Sequence, residues 1–351
     1  MESVAYPVAT SALASFVLAK VLVLTAGHHG RYTMDTPGSV QTFHLQPTPR
    51  VGGIGIYVAL LAAWMMLATH ADTRRILGTI LLAGVPCLLV GLLEDLTKRV
   101  GIRSRLIATM ASGALACALS GTMLTRLDLP LLDAALAHAP LALLLTAFAV
   151  GGVANAINII DGFNGLASGT TVIALSAIAL IAATCGDLPL AATAVVLAAA
   201  VAGFWMVNFP WGKLFLGDGG AYFAGFALAW LAVLLPMRNA SVSPWASLLV
   251  CAYPIIEVVY SVARRSRSRQ PAAHPDRRHL HSLVATQVVQ RRLPALHPTL
   301  QNSAVSVLMW ACAAVPAVLG VAFSGRTPVL VACAAACVLA YHLLYRQVAR
   351  S

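Results

Sequence analysis

Five short polar motifs interrupt a chain in which 59% of the 351 residues are hydrophobic. They are MDTPGSVQTFHLQPTPRVGG (34–53), EDLTKR (94–99), NIIDGFNG (158–165), FLGDGG (215–220) and HPDRRHLH (274–281). Polar groups at membrane depth are costly unless they have partners or face water. The motifs therefore indicate either loops in water or a site at which chemistry takes place.

The side chains in these motifs suit the binding of a metal ion together with phosphate groups. The carboxylates are Glu94, Asp95, Asp161 and Asp218, and the basic or imidazole groups are Arg50, Lys98, Arg277, Arg278, His279 and His281. Mg²⁺ is typically held by one or two carboxylates plus the phosphates of a substrate. Basic side chains neutralise the charge on phosphoryl oxygens in a transition state. The combination predicts a site for Mg²⁺ and a diphosphate.

Taken singly, the same residues have structural interpretations. Asp-Gly pairs such as those at Asp161 and Asp218 often form only a turn or a helix cap. The charged residues of 94–99 can be an ordinary run of charges in a solvent-exposed loop. His279 and His281 can likewise be solvated loop residues. Amides at the end of an apolar run can hydrogen-bond a neighbouring helix, and this alternative applies to Asn155 and Asn158.

The composition as a whole is that of an all-α, polytopic membrane protein. Charged residues make up 10% of the chain, against about 25% in soluble domains, and the mean hydropathy is +0.83. In such a protein the net charge of +11 reports topology and contact with anionic membrane lipids rather than nucleic acid. The seven Cys all lie in apolar segments and are interpreted as small core residues.

Apolar runs of roughly 20 residues, the length that crosses a bilayer core, occur eleven times. The predicted spans are 7–26, 51–69, 76–93, 105–122, 140–159, 166–184, 188–207, 215–235, 244–263, 303–323 and 327–345. Glu257, near the inner end of the ninth span, is expected either to pair with a neighbouring Arg or to border the site. Residues 1–351 form one integral membrane domain without a visible repeat. A secondary transporter, which places its substrate at the midplane between repeats, is the remote alternative.

The distribution of Lys and Arg predicts the orientation of these spans. With the N-terminus in the periplasm and the C-terminus in the cytoplasm, eighteen of the 23 basic residues lie inside. The five outside are Arg74, Arg75, Arg126, Arg238 and Arg326. Every polar motif then falls on the cytoplasmic face. We expect one site there, built from loops 27–50, 94–104, 158–166, 208–220 and 264–301.

These motifs resemble those of the polyprenyl-phosphate N-acetylhexosamine-1-phosphate transferases, the MraY/WecA-type glycosyltransferase family 4. NAINIIDGFNGLASG (155–169) is similar to the family pattern NxxNxxDGxxGL, FLGDGG to F-x-G-D-x-G, and PTPRVGG (47–53) to the first-loop motif. HLH (279–281) after PDRR looks like the short histidine motif of the WecA-like branch. The resemblance runs from about residue 35 to about residue 285.

The resemblance implies transfer of N-acetylhexosamine-1-phosphate, with N-acetylglucosamine as the first choice, from a UDP-sugar to undecaprenyl phosphate. UMP is released, and the cofactor is Mg²⁺, with Mn²⁺ possible. The reaction would initiate a cell-surface polysaccharide, such as O-antigen or capsule, at the bacterial inner membrane. A homodimer is possible. The alternative within the family is the phospho-N-acetylmuramoyl-pentapeptide transferase that makes lipid I.

Residue roles follow from the matched motifs. The resemblance implies that Asp218 binds the metal, that Asp95, Glu94, Asp161 and Lys98 are catalytic, and that the substrates are bound by Asn155, Asn158, Asn164, Arg50, Arg277, Arg278, His279 and His281. Two departures from the family pattern concern the first and second loops. In the first loop, the stretch between Asp35 and His44 lacks the basic residue that many relatives carry there. The family's Asp-Asp pair is Glu94-Asp95 here, and Lys98 stands where WecA-like members often carry Asp.

Overall fold

The computed structural model describes residues 2–35, 47–267 and 278–350, and this part of the chain is nearly all helical. In the first half the elements are α1 (Glu2–Leu24), α2 (Ala26–Thr33), β1 (Met34–Asp35), β2 (Thr48–Pro49), α3 (Gly52–Met66), α4 (Ala71–Ala83), α5 (Val85–Thr97), α6 (Ile102–Ser120), α7 (Pro130–Leu136) and α8 (Ala139–Ile160).

The second half continues the helical bundle. Its elements are α9 (Leu166–Thr184), α10 (Leu188–Asn208), α11 (Gly217–Arg238), α12 (Pro244–Val250), α13 (Ala252–Arg267), α14 (Leu280–Leu283), a π-helical turn (Val284–Val289), α15 (Gln290–Arg292), α16 (Pro298–Ala322) and α17 (Thr327–Arg350).

The helices confirm a multi-pass membrane protein. Among the described residues, eight helices are long and apolar enough to cross a bilayer, namely α1, α6, α8, α9, α10, α11, α16 and α17. The number rises to ten if each of two bent pairs forms one span: α4 with α5, bent by 41°, and α12 with α13, bent by 77°. The remaining predicted span, 51–69, forms the 15-residue α3. The count of eleven and the orientation of the termini stay predictions.

Helix α11 lies at the centre of the bundle. It packs against α3, α5, α6, α8, α9, α10 and α12, and 94% of the residues in its 18-residue apolar stretch are buried. The helices α1 and α17 are mostly exposed instead, since only 22% and 11% of the corresponding residues in these helices are buried. An apolar helix that is exposed suits contact with lipid, so the exposed helices form the outer wall and α11 forms the core.

Two pairs of glycines bring the first turn of α11 into backbone contact with its neighbours. A Cβ atom added to Gly91 of α5 would clash with the backbone of Gly219, and one added to Gly53 of α3 would clash with the backbone of Gly220. Only glycine permits such an approach. Asp218 directly precedes these two glycines of α11. The close contacts therefore hold Asp218 against the second predicted loop, at the end of α5.

The first and fourth predicted loops are joined by main-chain hydrogen bonds. The strands β1 and β2 pair antiparallel. The Phe215 N–H donates to Pro49 O (2.8 Å), and the Gly52 N–H donates to Phe215 O (3.0 Å). Gly217 has a φ of +75°, and a Cβ atom there would clash with Arg50 O. These contacts fix the backbone of Arg50 beside the start of α11.

Candidate active site

Arg50 is the hub of an acid cluster at one end of the bundle. Its Nε donates to Asp95 Oδ1 (2.9 Å), its Nη2 to Asp218 Oδ1 (3.2 Å) and its Nη1 to Asp35 Oδ1 (3.4 Å). The side chain is 19% exposed. Burial opposes its charge, but the three carboxylates raise the pKa of Arg50 above its ordinary value. One guanidinium therefore joins the first, second and fourth predicted loops.

Asp95 is buried and held by the first turn of α11. Its Oδ1 accepts from the Asp218 N–H (2.9 Å) and its Oδ2 from the Gly219 N–H (3.0 Å), and the residue is 2% exposed. A carboxylate at a helix N-terminus is stabilised by the unpaired N–H groups and the helix dipole. Asp95 thus has a fixed position and holds the turn that presents Asp218.

Asp218 accepts three hydrogen bonds, as many as Asp95. Its Oδ1 accepts from Asn158 Nδ2 (3.1 Å) as well as from Arg50, and its Oδ2 accepts from Arg105 Nη1 (2.7 Å). Asn158 brings in the third predicted loop. Arg105, in the first turn of α6, was not predicted as a site residue. The only sequence signal for it is a basic residue just before an apolar run, which also fits a topology signal.

Asp161 ends α8 beside this cluster. Its carboxylate accepts no hydrogen bond from any described residue. Burial, and then the nearby carboxylate of Asp218, raise the pKa of Asp161 to about 8, against the opposing effect of Arg50. Burial is thus the main reason that Asp161 holds a proton more tightly than an ordinary Asp, and a cation bound at this carboxylate would stabilise its ionised form.

Glu94 and Lys98 flank the cluster without joining it. Glu94 Oε2 accepts from the Val100 N–H (2.8 Å), and its Oε1 lies 3.9 Å from Arg105 Nη1. Lys98 ends α5 with a φ of 56°, and its ammonium group forms no ion pair within the described part of the chain. Burial, followed by repulsion from Arg50, lowers the pKa of Lys98. Glu94 thus braces the loop, and Lys98 has its charge available for a ligand.

A buried glutamate holds the histidine motif. Glu257 is fully buried, and its Oε1 lies 3.0 Å from His279 Nδ1 and accepts from the Leu280 N–H (3.2 Å). Its partner is a histidine, not the arginine that was the structural expectation. The His281 ring stacks on that of His279, with centroids 5.2 Å apart. Glu257 therefore fixes the orientation of both rings.

His281 links the fifth loop to the third. Its ring meets Phe163 edge to face, with centroids 5.6 Å apart. Its Nε2 would lie 4.0 Å from a Cβ atom built on Gly162. Gly162 directly follows Asp161, so the histidine ring faces the loop that carries Asp161. All five predicted loops contribute side chains to this end of the bundle.

The other predicted binding residues lie elsewhere. Asn155 Nδ2 donates to Thr109 Oγ1 (2.8 Å) and so joins α8 to α6, which is the interhelical alternative. Asn164 is buried, and its N–H donates to Asn302 Oδ1 (2.7 Å) at the start of α16. Arg278 is exposed, and its carbonyl accepts from the Tyr345 hydroxyl (3.0 Å). Arg277 lies outside the described residues.

The donor set fits a magnesium ion that a substrate completes. Within the described ranges, no group of three or more His, Cys, Asp or Glu side chains is arranged to hold a metal alone. Mg²⁺ needs only one or two protein carboxylates when phosphates supply further oxygens. Asp218 and Asp161 offer hard oxygens in the same part of the site, and the carboxylate of Asp161 accepts no hydrogen bond from any described residue, so its oxygens are available to a metal.

Fold and site together define a multi-pass helical membrane protein with an acid–arginine cluster at one end of its bundle. Residues 77–236 match the model of Glycosyl transferase family 4, and this segment contains Asp95, Asn158, Asp161 and Asp218. The chain belongs to that family.

The chain is similar to several curated members of the family. The chain is 26% identical to a probable undecaprenyl-phosphate N-acetylglucosaminyl 1-phosphate transferase of Bacillus subtilis, over 75% of this chain and 72% of that protein. It is 30% identical to a decaprenyl-phosphate N-acetylglucosaminephosphotransferase of Mycobacterium leprae, over 68% and 66%. It is 27% identical to the undecaprenyl-phosphate alpha-N-acetylglucosaminyl 1-phosphate transferase of Escherichia coli K12, over 67% and 65%. The alignments thus span slightly less than two thirds of the latter two relatives.

Proposed function

We propose that this protein transfers N-acetylglucosamine-1-phosphate from a UDP-sugar to undecaprenyl phosphate and releases UMP. The observation that carries the proposal is the convergence of Arg50, Asp95, Asn158 and Asp218 at one end of the bundle. The names of the relatives support the lipid phosphate and the sugar. We place the reaction at the cytoplasmic face of the bacterial inner membrane, as the first step of a cell-surface polysaccharide.

The reaction joins two anions, so the site must neutralise charge. A phosphate oxygen of the lipid forms a bond to the sugar-bearing phosphorus of the donor. The bond from that phosphorus to the oxygen bridging to UMP breaks, and UMP leaves with the electron pair. Arg50, Arg105 and Lys98 are the cations of the site, and Lys98 makes no ion pair with a described residue. These groups would bind the phosphates and stabilise charge in the transition state.

The acids divide into positioning and binding roles. Asp95 is held by hydrogen bonds from two N–H groups of α11 and from Arg50. It would therefore position the first turn of α11, which carries Asp218, and it could accept a proton only from a group that reaches this fixed carboxylate. Asp218 and Asp161 would hold Mg²⁺, or Mn²⁺ in its place, which supplies further positive charge for the diphosphate. His281, which faces Gly162, would contact the donor on the other side of the third loop.

Two alternatives are less well supported. Lipid I synthesis would require a muramoyl-pentapeptide donor, whereas the relatives are named for N-acetylglucosamine, and HLH is the short form of the histidine motif. A secondary transporter would place its polar groups near the bilayer midplane. Here they meet where α5, α8 and α11 end or begin.

A donor screen tests the proposal. The purified protein would receive undecaprenyl phosphate with UDP-N-acetylglucosamine, UDP-N-acetylgalactosamine or UDP-N-acetylmuramoyl-pentapeptide, and UMP release would be measured. We expect turnover with the first donor and a loss of roughly 100-fold or more in Asp218→Asn. Asp187→Asn is the matched control, because Asp187 pairs with Arg238 at the opposite end of α11 (2.7 Å). Turnover with only the pentapeptide donor would establish the lipid I alternative.

A further inference from the structure

A cavity of about 480 Å³ lies at the end of the bundle opposite the acid cluster. Its walls come from α3, α4 and α6, and they include Trp64, Arg74, Arg75, Leu82 and Leu119. The two arginines are near the start of α4, and Asp95 is near the end of α5. Twenty-one helical residues separate Arg74 from Asp95, which is roughly 30 Å along the bent pair. This cavity is therefore separate from the proposed active site.

The charge in the cavity has no internal counterpart. The Arg74 guanidinium lies over the Trp64 ring, 4.5 Å from its centroid, and its buried Nε has no hydrogen-bond partner among the described residues. Arg75 is exposed, and in the described part of the chain neither arginine forms a salt bridge with an acid. A hydrogen-bonding anion would supply the acceptor that Arg74 lacks. Guanidinium groups bind phosphate oxygens in this way.

The other walls of the cavity are apolar and face outward. Leu82 is 63% exposed and Leu119 is 48% exposed. In a multi-pass protein, exposed leucines on the outside of the bundle contact acyl chains. The cavity thus offers cations at the end of the helices and an apolar surface alongside them. Its size lies within the roughly 300–1,000 Å³ of typical ligand pockets.

We propose that this cavity binds an anionic phospholipid of the leaflet at that end, with the headgroup phosphate on Arg74 and Arg75 and an acyl chain along Leu82 and Leu119. The negative headgroup phosphate complements the two guanidinium groups, and the apolar acyl chain complements the two leucines. This proposal does not depend on the enzymatic reaction, because the two sites lie at opposite ends of the bundle.

Native mass spectrometry of the detergent-purified protein, titrated with phosphatidylglycerol, tests the site. We expect a retained lipid adduct in the parent protein. Retention should fall by about fivefold in Arg75→Gln and further in Arg74→Gln/Arg75→Gln, since each substitution removes a charge-assisted contact to the headgroup phosphate. The matched control is Arg326→Gln, an exposed arginine in the loop between α16 and α17, which should retain the adduct. Thermal unfolding without lipid checks that each variant is folded.

Two further ligands separate the outcomes. Phosphatidylcholine with the same acyl chains should be retained less well than phosphatidylglycerol, and inorganic phosphate should not displace the lipid. Adducts that are equal for both lipids and unchanged in the variants would show a merely apolar groove and overturn the proposal. Competition by inorganic phosphate would also overturn it, because the site would then serve a soluble anion.

Discussion

At the scale of single residues, the two acids of the second loop have different surroundings. Asp95 accepts three hydrogen bonds, two from α11 and one from Arg50, and is almost inaccessible. Glu94 accepts from the N–H of Val100 in its own loop. A change at Asp95 disturbs the helix that presents Asp218, whereas a change at Glu94 disturbs a connection between α5 and α6.

Asp95→Asn should therefore cost far more rate than Glu94→Gln. An asparagine keeps one acceptor oxygen but places an amide against the N–H groups of α11. We expect a loss of kcat of roughly 100-fold or more for Asp95→Asn and a loss of about tenfold or less for Glu94→Gln. The measurement is UMP release with saturating UDP-sugar and undecaprenyl phosphate at equal amounts of folded protein. Equal losses in the two variants would mean that the acids act as one unit.

The raised pKa of Asp161 predicts a pH dependence of stability. In the folded protein Asp161 holds its proton up to a pKa of about 8, whereas an unfolded Asp titrates at about 3.9. The folded state binds the extra proton between these values, so its stability falls as the pH rises toward 8. Without divalent ions, Tm should decrease from about pH 5 to about pH 8 in the parent protein and then level off. Asp161→Asn should flatten this decrease.

Adding Mg²⁺ should act in the opposite direction. The metal requires the ionised carboxylate, so its binding should strengthen as the pH approaches 8 and offset the fall in Tm. Parallel pH profiles for the parent and Asp161→Asn, measured in EDTA, would show that Asp161 does not titrate in this range.

Sequence patterns predicted some of these residues better than others. The sequence predicts that Arg50, Asp95 and Asp218 come together, because the distribution of Lys and Arg places their three loops on the same face of the membrane. Arg105 was missed because a single arginine before an apolar run is also an ordinary topology signal. The contacts of Asn155 and Asn164 could not be predicted, because a motif gives the spacing of amides but not the helix that each one faces.

At the scale of elements, the glycine contact between α5 and α11 decides where Asp218 lies. The backbones touch at Gly91 and Gly219, so any side chain at position 91 must push the helices apart. Displacement of about 1 Å at a catalytic site can cost roughly a hundredfold in rate. Asp95 lies one turn beyond Gly91 and Asp218 directly precedes Gly219, so the two acids would separate with the helices.

Gly91→Ala should therefore reduce kcat by about a hundredfold and lower Tm. The matched control is Gly152→Ala in α8, where an added Cβ has no atom within 4 Å, and where alanine should leave Tm unchanged or slightly raised. Activity with UDP-sugar and Tm in detergent are the two measurements. A fully active Gly91→Ala variant would show that the crossing does not position the acids.

The sequence predicted correctly that these elements are helices, but it did not predict that two of them are divided into bent pairs. Apolar runs predict helices well, yet 76–93 and 244–263 are divided by bends at Gly84 and Cys251. Each bend lies just before a proline, Pro86 or Pro254, whose missing N–H interrupts the helical hydrogen bonds. At the first bend a Cβ on Gly84 would also clash with the Phe223 ring. Hydropathy alone carries no information on either cause. The run 51–69 is apolar for long enough, but its helix ends at Met66.

At the scale of the whole molecule, the charges and contacts separate into two ends. Arg126 Nη2 donates to Pro236 O (3.2 Å), and Arg238 pairs with Asp187. These contacts join three of the predicted periplasmic loops to one another. The acid cluster, in contrast, lies at the other end of α11, whose first turn holds Asp218. The arrangement agrees with the separation of basic residues predicted from the sequence.

Topology reporters would assign the compartments. Sandwich fusions after Lys213 and Arg291 should report cytoplasm, and fusions after Arg126 and Arg238 should report periplasm, because eighteen of 23 basic residues lie on the predicted inner side. Sandwich insertions are preferable to truncations, since they keep the downstream charges that contribute to orientation. UDP-sugars are cytoplasmic substrates in the proposed reaction, so the acid cluster must share the compartment of Lys213. A reporter after Arg126 that matches one after Lys213 would contradict the two-ended arrangement. Reversed compartments for all four would instead remove the UDP-sugar from the proposal and leave the fold unchanged.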